Sequence, residues 1–199
     1  MSVTYVRVPE DRLAVLIGTK GSVKRSIEER SGSTLHIDPG DNAVRISSPD
    51  EKDPWGTLKA RDVVLAIGRG FAPERAFLLF QGERYLAVLD MKEVTGKRTK
   101  EALRRIRARV IGYRGRARER LEELSGCLVS VYGSSVALIG TTEQLVRGTR
   151  AVTLLLRGSE HSTVFGFLER ARLEPPGTEG EGDLEEVLLP GDPDDSLGP

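Results

Sequence analysis

Hydrophobic and polar positions follow two different periods in the first third of the chain. Apolar side chains at every second position predict strands, and apolar side chains three or four positions apart predict helices. Gly18 and Gly32 each follow a helical stretch, at the place where glycine commonly ends a helix. The predicted elements are a strand at 4–8, helices at 9–17 and 22–31, strands at 35–37 and 44–46 around a turn at 39–42, and a helix at 53–67.

The same order of elements returns in the second half of the chain. A connecting segment at 71–81, with a short helix predicted to start at Pro73, separates the two series. The second series comprises a strand at 85–90, helices at 99–110 and 117–124, strands at 127–132 and 135–139, and helices at 142–156 and 159–172. We therefore predict an α+β protein with domains at 1–81 and 82–173. Residues 174–199 are rich in Pro, Gly and acidic residues, which predicts a disordered acidic tail.

The repeat extends to individual residues at a fixed offset of 94 positions. Ile17-Gly18-Thr19-Lys20-Gly21 recurs as Ile111-Gly112-Tyr113-Arg114-Gly115. Ile27-Glu28-Glu29 and Ser31-Gly32 recur as Leu121-Glu122-Glu123 and Ser125-Gly126. Because the offset holds through a loop, a helix and a helix end, the chain is predicted to contain two copies of one module.

Each copy places a Gly-x-x-Gly loop between its first two helices, and this loop is the candidate binding site. Glycine lacks a Cβ atom, so a ligand can approach the backbone closely. The second helix begins directly afterwards and directs its free N–H groups and positive dipole end at the loop. A basic residue, Lys20 or Arg114, occupies the middle of each loop. The arrangement favours phosphate groups, although Gly-x-x-Gly alone also occurs at ordinary helix corners.

The distribution of charge supports a polyanionic partner for the body of the chain. The 199 residues hold 30 basic and 30 acidic side chains, so the formal net charge is zero. Nine acidic residues and no Lys or Arg follow Arg172, so the first 172 residues hold all 30 basic residues and 21 acidic ones, a net charge of +9. The acidic tail is interpreted as a solubilising end, a competitor of the polyanionic partner for the basic surface, or a docking segment for a basic partner.

Basic residues are concentrated around the second loop. Eleven lie between Lys97 and Arg120, opposed only by Glu101 and Glu119, whereas the first loop has the thinner set Arg12, Lys20, Lys24 and Arg25. Phosphate binding is therefore expected mainly at the second module. The residues predicted to bind a nucleic-acid backbone are Gly18, Thr19, Lys20, Gly21, Lys24, Arg109, Gly112, Tyr113, Arg114, Gly115, Arg116 and Arg118. Ile17, Ile111 and the strands after Gly32 and Gly126 are expected to give each groove an apolar floor.

The order of elements and the loop position resemble the type I KH domain, in which a Gly-x-x-Gly loop clamps four nucleotides. The segments VLIGTKGSVKRSIEERSG, LKARDVVLAIGRGFAPERAFLLF, GYRGRARERLEELSG and VSVYGSSVALIG are similar to tandem KH-domain ribosome-assembly factors, the archaeal relatives of the Dim, Krr and partner-of-Nob proteins. This resemblance covers about residues 3–172. It implies binding of small-subunit rRNA near its 3′ end. It also implies three protein partners: a Nob-type endonuclease, a Dim-type dimethyltransferase and initiation factor two alpha.

Other functional classes find less support in the sequence. We find no catalytic triad, P-loop, dinucleotide fingerprint or metal-ligand spacing, so neither catalysis, a cofactor nor a metal is expected. His36 and His161 are interpreted as structural or surface residues, Trp55 as a packing residue rather than a base-stacking one, and Cys127 as a buried strand residue. A cytoplasmic protein is expected, since the start is unlike a signal peptide and no apolar run reaches membrane length. The open alternatives are a protein-interaction scaffold, an RNA-processing enzyme, and a KH protein for mRNA or single-stranded DNA.

Overall fold

The computed structural model describes residues 2–38, 40–48 and 54–173, and these residues form the two predicted series of elements. In the first series, a 3₁₀ turn at Thr19–Gly21 joins the first two helices. The elements are β1 (Ser2–Arg7), α1 (Glu10–Ile17), α2 (Ser22–Ser31), β2 (Thr34–Asp38), β3 (Ala43–Ser48) and α3 (Pro54–Gly68). The short helix α4 (Pro73–Ala76) and a 3₁₀ turn at Phe77–Phe80 then lead to the second series, so the helix start predicted at Pro73 is confirmed.

The second series repeats the first and adds two helices. A 3₁₀ turn at Tyr113–Gly115 again joins the paired helices. The elements are β4 (Tyr85–Asp90), α5 (Met91–Thr95), α6 (Lys100–Ile111), α7 (Arg116–Ser125), β5 (Leu128–Tyr132), β6 (Ser135–Gly140), α8 (Thr142–Arg157) and α9 (His161–Leu173). Helix α5 was not predicted; it is one short turn capped by Asp90, whose carboxylate accepts a hydrogen bond from the Lys92 amide. The predicted tail lies outside the described residues.

Each module has a three-stranded antiparallel sheet with its last strand in the centre, in the orders β1-β3-β2 and β4-β6-β5. The strands that follow the paired helices, β2 and β5, are therefore edge strands. One face of each sheet packs on its own helices: Val44 and Ile46 of β3, and Val136 and Leu138 of β6, are fully buried. The α+β fold with two modules of one topology is thus confirmed.

The repeated acidic and hydroxyl residues have structural roles. The Glu28 carboxylate accepts a 2.8 Å hydrogen bond from the Leu35 amide, and Glu122 accepts a 2.6 Å bond from Val129. Both bonds tie the second helix of the pair to the edge strand that follows it. Ser31 and Ser125 likewise donate to the carbonyl one turn earlier in their helices and accept an amide two residues later, which closes each helix end.

The outer faces of the two sheets differ in what covers them. The outer face of the second sheet is covered by the first module, because Ala137 and Ile139 of β6 belong to the same buried cluster as Phe71, Ala76 and Leu79. A second cluster lies between the second sheet and helices α6 to α9, and includes Val164 and Leu168 of α9. The outer face of the first sheet has no such cover among the described residues, since Tyr5 and Arg45 on it are exposed.

Polar contacts fix the junction between the modules. Ser130 donates a 2.9 Å hydrogen bond to the Arg69 carbonyl, and Arg75 forms an ion pair with Glu122. Gly70 has a φ of +95°, and a Cβ atom there would lie 2.8 Å from Ser130 Oγ and from Tyr132 Cβ. Only glycine suits this position, because any other residue would combine a left-handed backbone with a collision against β5.

Candidate nucleic-acid interface

The two Gly-x-x-Gly loops have nearly the same backbone. The first glycines have φ values of +72° in both loops, and the last glycines have values of +77° and +83°. The basic residue in between also adopts the left-handed region, with φ, ψ of 53°, 30° at Lys20 and 52°, 28° at Arg114. This conformation is uncommon for residues other than glycine. Both loops therefore hold a basic side chain in the same strained conformation, directed by the same turn.

The first glycine of each loop is required by packing. A Cβ atom at Gly18 would lie 2.5 Å from Val23 Cγ2 and 2.8 Å from the Val23 amide nitrogen. At Gly112 it would lie 2.5 Å from Ala117 Cβ and 2.9 Å from the Ala117 nitrogen. These glycines bring the end of one helix against the first turn of the next, so their role is to close the helix pair.

The last glycine of each loop borders open space. A Cβ atom at Gly21 would have no neighbour within 4 Å, and one at Gly115 would have only the Glu119 carboxylate at 3.8 Å. The N-cap residues of α2 and α7 are Gly21 and Gly115, which have no side chain to cap the helix, so a ligand at this end of the loop faces the first turn directly. The backbone approach expected from the sequence is therefore sterically available at both loops.

The second loop carries an exposed aromatic side chain between two guanidinium groups. Tyr113 is 70% exposed. The Cζ atoms of Arg114 and Arg116 lie 5.2 Å and 5.9 Å from its ring centroid. Thr19 and Ser22 occupy the equivalent positions of Tyr113 and Arg116 in the first loop. The second loop alone thus offers a planar stacking surface beside two positive charges.

The exposed side chain of Arg25 is bonded to the backbone of the first loop. Arg25 donates hydrogen bonds of 2.9 Å to the Lys20 carbonyl and 3.4 Å to the Gly21 carbonyl. The equivalent position in the second module is Glu119, so no such bond is made there. The sequence shows that Arg25 and Glu119 are equivalent residues of opposite charge, but the bonds of Arg25 to the loop carbonyls were not predicted.

The basic residue on the second helix is paired in one module and not in the other. Lys24 Nζ lies 3.8 Å from the Glu28 carboxylate. In the second module Arg75 takes the equivalent acid, Glu122, and Arg118 has no ion pair or hydrogen bond within the described residues. The Arg118 side chain is therefore the more available phosphate ligand of the two.

Two basic residues from the sequence patches lie elsewhere. Arg12 donates to the carbonyls of Ile67 and Phe71, at 2.9 Å and 2.6 Å, and so binds the end of α3. Arg109 lies beside the turn between α8 and α9, where a Cβ atom at Gly158 would come within 3.3 Å of its Nη1. His161 Nε2 is hydrogen-bonded to the Arg109 carbonyl at 2.9 Å, which joins α9 to the last turn before the second loop.

The apolar residues expected to form the floor of each groove are partly exposed. Ile17 is 37% exposed and Ile111 is half-buried, each one residue before its loop. Ile37 on β2 and Val131 on β5 are also half-buried. These positions stay the predicted floor of each groove, beside the loop and along an edge strand.

The remaining candidate residues show no chemistry of their own. Cys127 is buried as expected, but it lies one residue before β5 rather than in the strand. Burial raises the pKa of its thiol to about 11, and its Sγ atom lies 3.0 Å from the Gln144 carbonyl, so it is an unreactive packing residue. Within the described residues no group of His, Cys, Asp and Glu is placed to hold a metal ion.

The packing role expected for Trp55 is wrong: its side chain is 68% exposed, because the buried stripe of α3 runs through Ala60, Val63 and Ile67 instead. No helix in residues 2–38, 40–48 and 54–173 is long and apolar enough to span a membrane.

Comparison with known proteins places both modules in one domain family. Residues 85–173 match the eukaryotic-type KH domain (KH-domain type I), and residues 3–53 match the KH domain. A KH domain-containing protein of Methanocaldococcus jannaschii is 44% identical over 172 residues, which are 86% of this chain and 74% of that protein.

More distant relatives and solved structures agree with this family. The pre-rRNA-processing protein pno1 of Emericella nidulans is 24% identical over 83% of this chain, and the match covers 65% of the fungal protein's own length. A crystal structure of an a/eIF2alpha–aDim2p–rRNA complex from Pyrococcus horikoshii contains a chain that is 45% identical. That chain superimposes with a TM-score of 0.80, over 86% of the present chain and 94% of its own length.

Proposed function

Because this chain belongs to the archaeal KH-domain ribosome-assembly family, we propose that it binds single-stranded rRNA during maturation of the small ribosomal subunit. The observation that carries this function is the second Gly-x-x-Gly loop, in which Tyr113, Arg114 and Arg116 are exposed at the open end of an uncapped helix. Relatives named for pre-rRNA processing, and a similar chain found in a complex with rRNA, support the choice of RNA.

The groove binds RNA mainly through the phosphate backbone, and its few contacts to the bases give little sequence selectivity. Phosphate oxygens accept hydrogen bonds from the first amides of α7 and from Arg114, in the space that Gly115 leaves open. Tyr113 stacks on one base, and the half-buried Ile111 and Val131 contact its neighbours. A groove of this kind accommodates about four nucleotides. The role of the protein is positional, and no step of chemistry is assigned to any of its residues.

The second module is the principal groove and the first is a weaker one. Around the first loop, Arg25 is engaged with loop carbonyls, Lys24 is paired with Glu28, and Arg12 is used within the fold. Arg114, Arg116 and Arg118 of the second module make no ion pair with another described residue. The charge available for phosphate therefore differs more between the modules than their sequences suggest.

The protein partners follow from the family. The relative found with a/eIF2alpha and rRNA supports initiation factor two alpha as one partner. A Nob-type endonuclease and a Dim-type dimethyltransferase are proposed as the enzymes that act on the RNA which this chain positions. The non-enzymatic role of the chain rests on the same division of labour.

The salt dependence of RNA binding tests this function. We expect log Kd for an unstructured RNA to change with log salt concentration with a slope of about 2 to 3, as for three to four phosphates on a single strand. Arg118→Gln should lower that slope by about 0.7, whereas the matched variant Lys24→Gln should lower it less, because Lys24 already faces Glu28.

Fluorescence anisotropy over a series of KCl concentrations measures both slopes, with a DNA oligonucleotide of the same sequence as the control for sugar type. Absence of any salt slope with RNA would contradict phosphate binding and favour the protein-interaction scaffold. Equal slopes and affinities for RNA and DNA would favour a general single-strand-binding protein instead.

A further inference from the structure

The outer face of the first sheet carries a row of three planar polar side chains. Tyr5 is paired with Arg45 across β1 and β3, and Arg45 is paired with His36 across β3 and β2. Neighbouring strands lie about 4.8 Å apart, so the three side chains stand next to one another on one face. All three are exposed, Tyr5 by 68%, and none has a hydrogen bond, ion pair or ring contact with another described residue.

The equivalent row in the second sheet has different side chains, and it packs against the first module. The equivalent pairs are Val88 with Ala137 and Ala137 with Ser130. Ala137 is fully buried against the first module, and Ser130 donates to the Arg69 carbonyl. The small side chains of Ala137 and Ser130 allow the two modules to pack closely. In the first sheet the large side chains of Arg45 and His36 take their places, which is unsuited to the same packing and leaves a face that nothing in the described chain covers.

A shallow pocket of about 270 Å³ lies beside this row. Its floor is Ala43, a small residue that sits between Arg7 and Asp38 in the next register position of the sheet. One wall is the row of Tyr5, Arg45 and His36. Asp38, paired with Ala43, and Asp41, in the turn that follows, line the rest of the pocket. The pocket therefore combines a planar, partly aromatic wall with carboxylates that can only accept hydrogen bonds.

We propose that this pocket binds one unpaired guanine of a single-stranded RNA. The inference rests on the proposed RNA-binding function and adds a contact outside both Gly-x-x-Gly grooves. The base stacks on the side chains of the row, as bases do on Tyr, His and Arg in single-strand-binding proteins. The volume suits one base, since it lies below the range of pockets for larger ligands.

The carboxylates select the base. Guanine presents two parallel N–H donors on its Watson–Crick edge, N1–H and the exocyclic amine, which match the two oxygens of one carboxylate. Uracil presents a single donor there. Asp38 already accepts the Gly40 amide through Oδ1, so Asp41 is the better placed partner.

The two histidines of the chain make this inference measurable in the intact protein. His36 reports on the sheet pocket, and His161, bonded to the Arg109 carbonyl, reports on the second groove. Imidazole proton NMR signals are followed at constant pH during titration with the RNA pentanucleotides UUGUU and UUUUU. We expect UUGUU to shift the His36 signal with an at least fivefold lower midpoint than UUUUU.

Matched variants locate the effect. Tyr5→Thr keeps a β-branched residue in the strand and should raise the His36 midpoint at least fivefold, whereas Val3→Thr, on the same face of β1, should leave it unchanged. Asp41→Asn should remove the preference for UUGUU. A His36 signal that UUGUU leaves unmoved, or that responds equally in Tyr5→Thr, overturns the site, and equal midpoints for both RNAs overturn the guanine assignment. A His36 response without any His161 response supports the pocket while contradicting the proposed groove.

Discussion

Replacing Tyr113 and Arg114 together by Asp is expected to weaken binding of single-stranded rRNA at least tenfold, a loss of ~1.4 kcal/mol or more. The change removes an exposed ring and a guanidinium group and places two negative charges where phosphate is proposed to lie. The fold should survive, because Tyr113 and Arg114 are exposed and Asp tolerates the left-handed backbone at position 114 better than most residues. Anisotropy titration of a labelled RNA at low salt measures the loss.

The matched variant changes Thr19 and Lys20 to Asp in the first loop. Its backbone is the same, but it lacks the aromatic ring, and Arg25 already covers two of its carbonyls. We expect a smaller loss of affinity than for the second loop. Wild-type affinity in Tyr113→Asp/Arg114→Asp, with an unchanged circular dichroism spectrum, would exclude the second groove as the RNA site. A larger loss from the first loop would reverse the order of the two grooves.

Replacing Gly112 by Ala is expected to destabilise the protein by about 4 kcal/mol, far more than alanine at Gly115, the last glycine of the same loop. The residue has φ, ψ of 72°, 179°, a region that is almost confined to glycine and costs about 1–3 kcal/mol for other residues. The added methyl group would also collide with Ala117 at 2.5 Å, and overpacking of this kind costs about 1–3 kcal/mol. Urea unfolding followed by far-UV circular dichroism gives the change in the unfolding midpoint.

Gly115→Ala is the control for that experiment. Its backbone is left-handed at φ +83°, but its methyl group would meet only the Glu119 carboxylate at 3.8 Å, so a cost of about 1–2 kcal/mol is expected. Gly115→Ala should nevertheless weaken RNA binding, because the methyl group occupies space proposed for a phosphate. Equal destabilisation by the two substitutions would show that the first glycine is not required by helix packing. Full RNA affinity in Gly115→Ala would show that the ligand does not approach the backbone there.

The sequence predicted the modules well because their determinants are local. The periodicity of Leu13, Leu16 and Ile17, the glycines at the loop, and the alternation along each strand all act within a few residues of one another. Residues that repeat at the offset of 94 also make the same interactions in both modules. Glu28 accepts a hydrogen bond from the Leu35 amide, and Glu122 accepts one from the Val129 amide. Repetition in the sequence thus indicated that equivalent interactions occur in both modules.

The features that escaped prediction depend on contacts between distant parts of the chain. Arg75 pairs with Glu122 across the junction of the modules, so Arg118 does not pair with Glu122 in the way that its counterpart Lys24 pairs with Glu28. Arg12 looked like a member of the first basic patch, yet it binds the end of α3 through two carbonyls. A count of charges near a loop cannot distinguish a cation engaged within the fold from one that is free for a ligand.

The burial of Ala137 and Ile139 against the first module limits how this protein can be taken apart. A fragment starting at residue 82 would present that sheet face to water and would tend to self-associate. A fragment ending at residue 81 would leave Phe71, Ala76 and Leu79 without part of their cover. Neither fragment is therefore expected to keep the structure that it has in the intact chain. Experiments on one groove are better made by point substitution in the intact chain than by truncation.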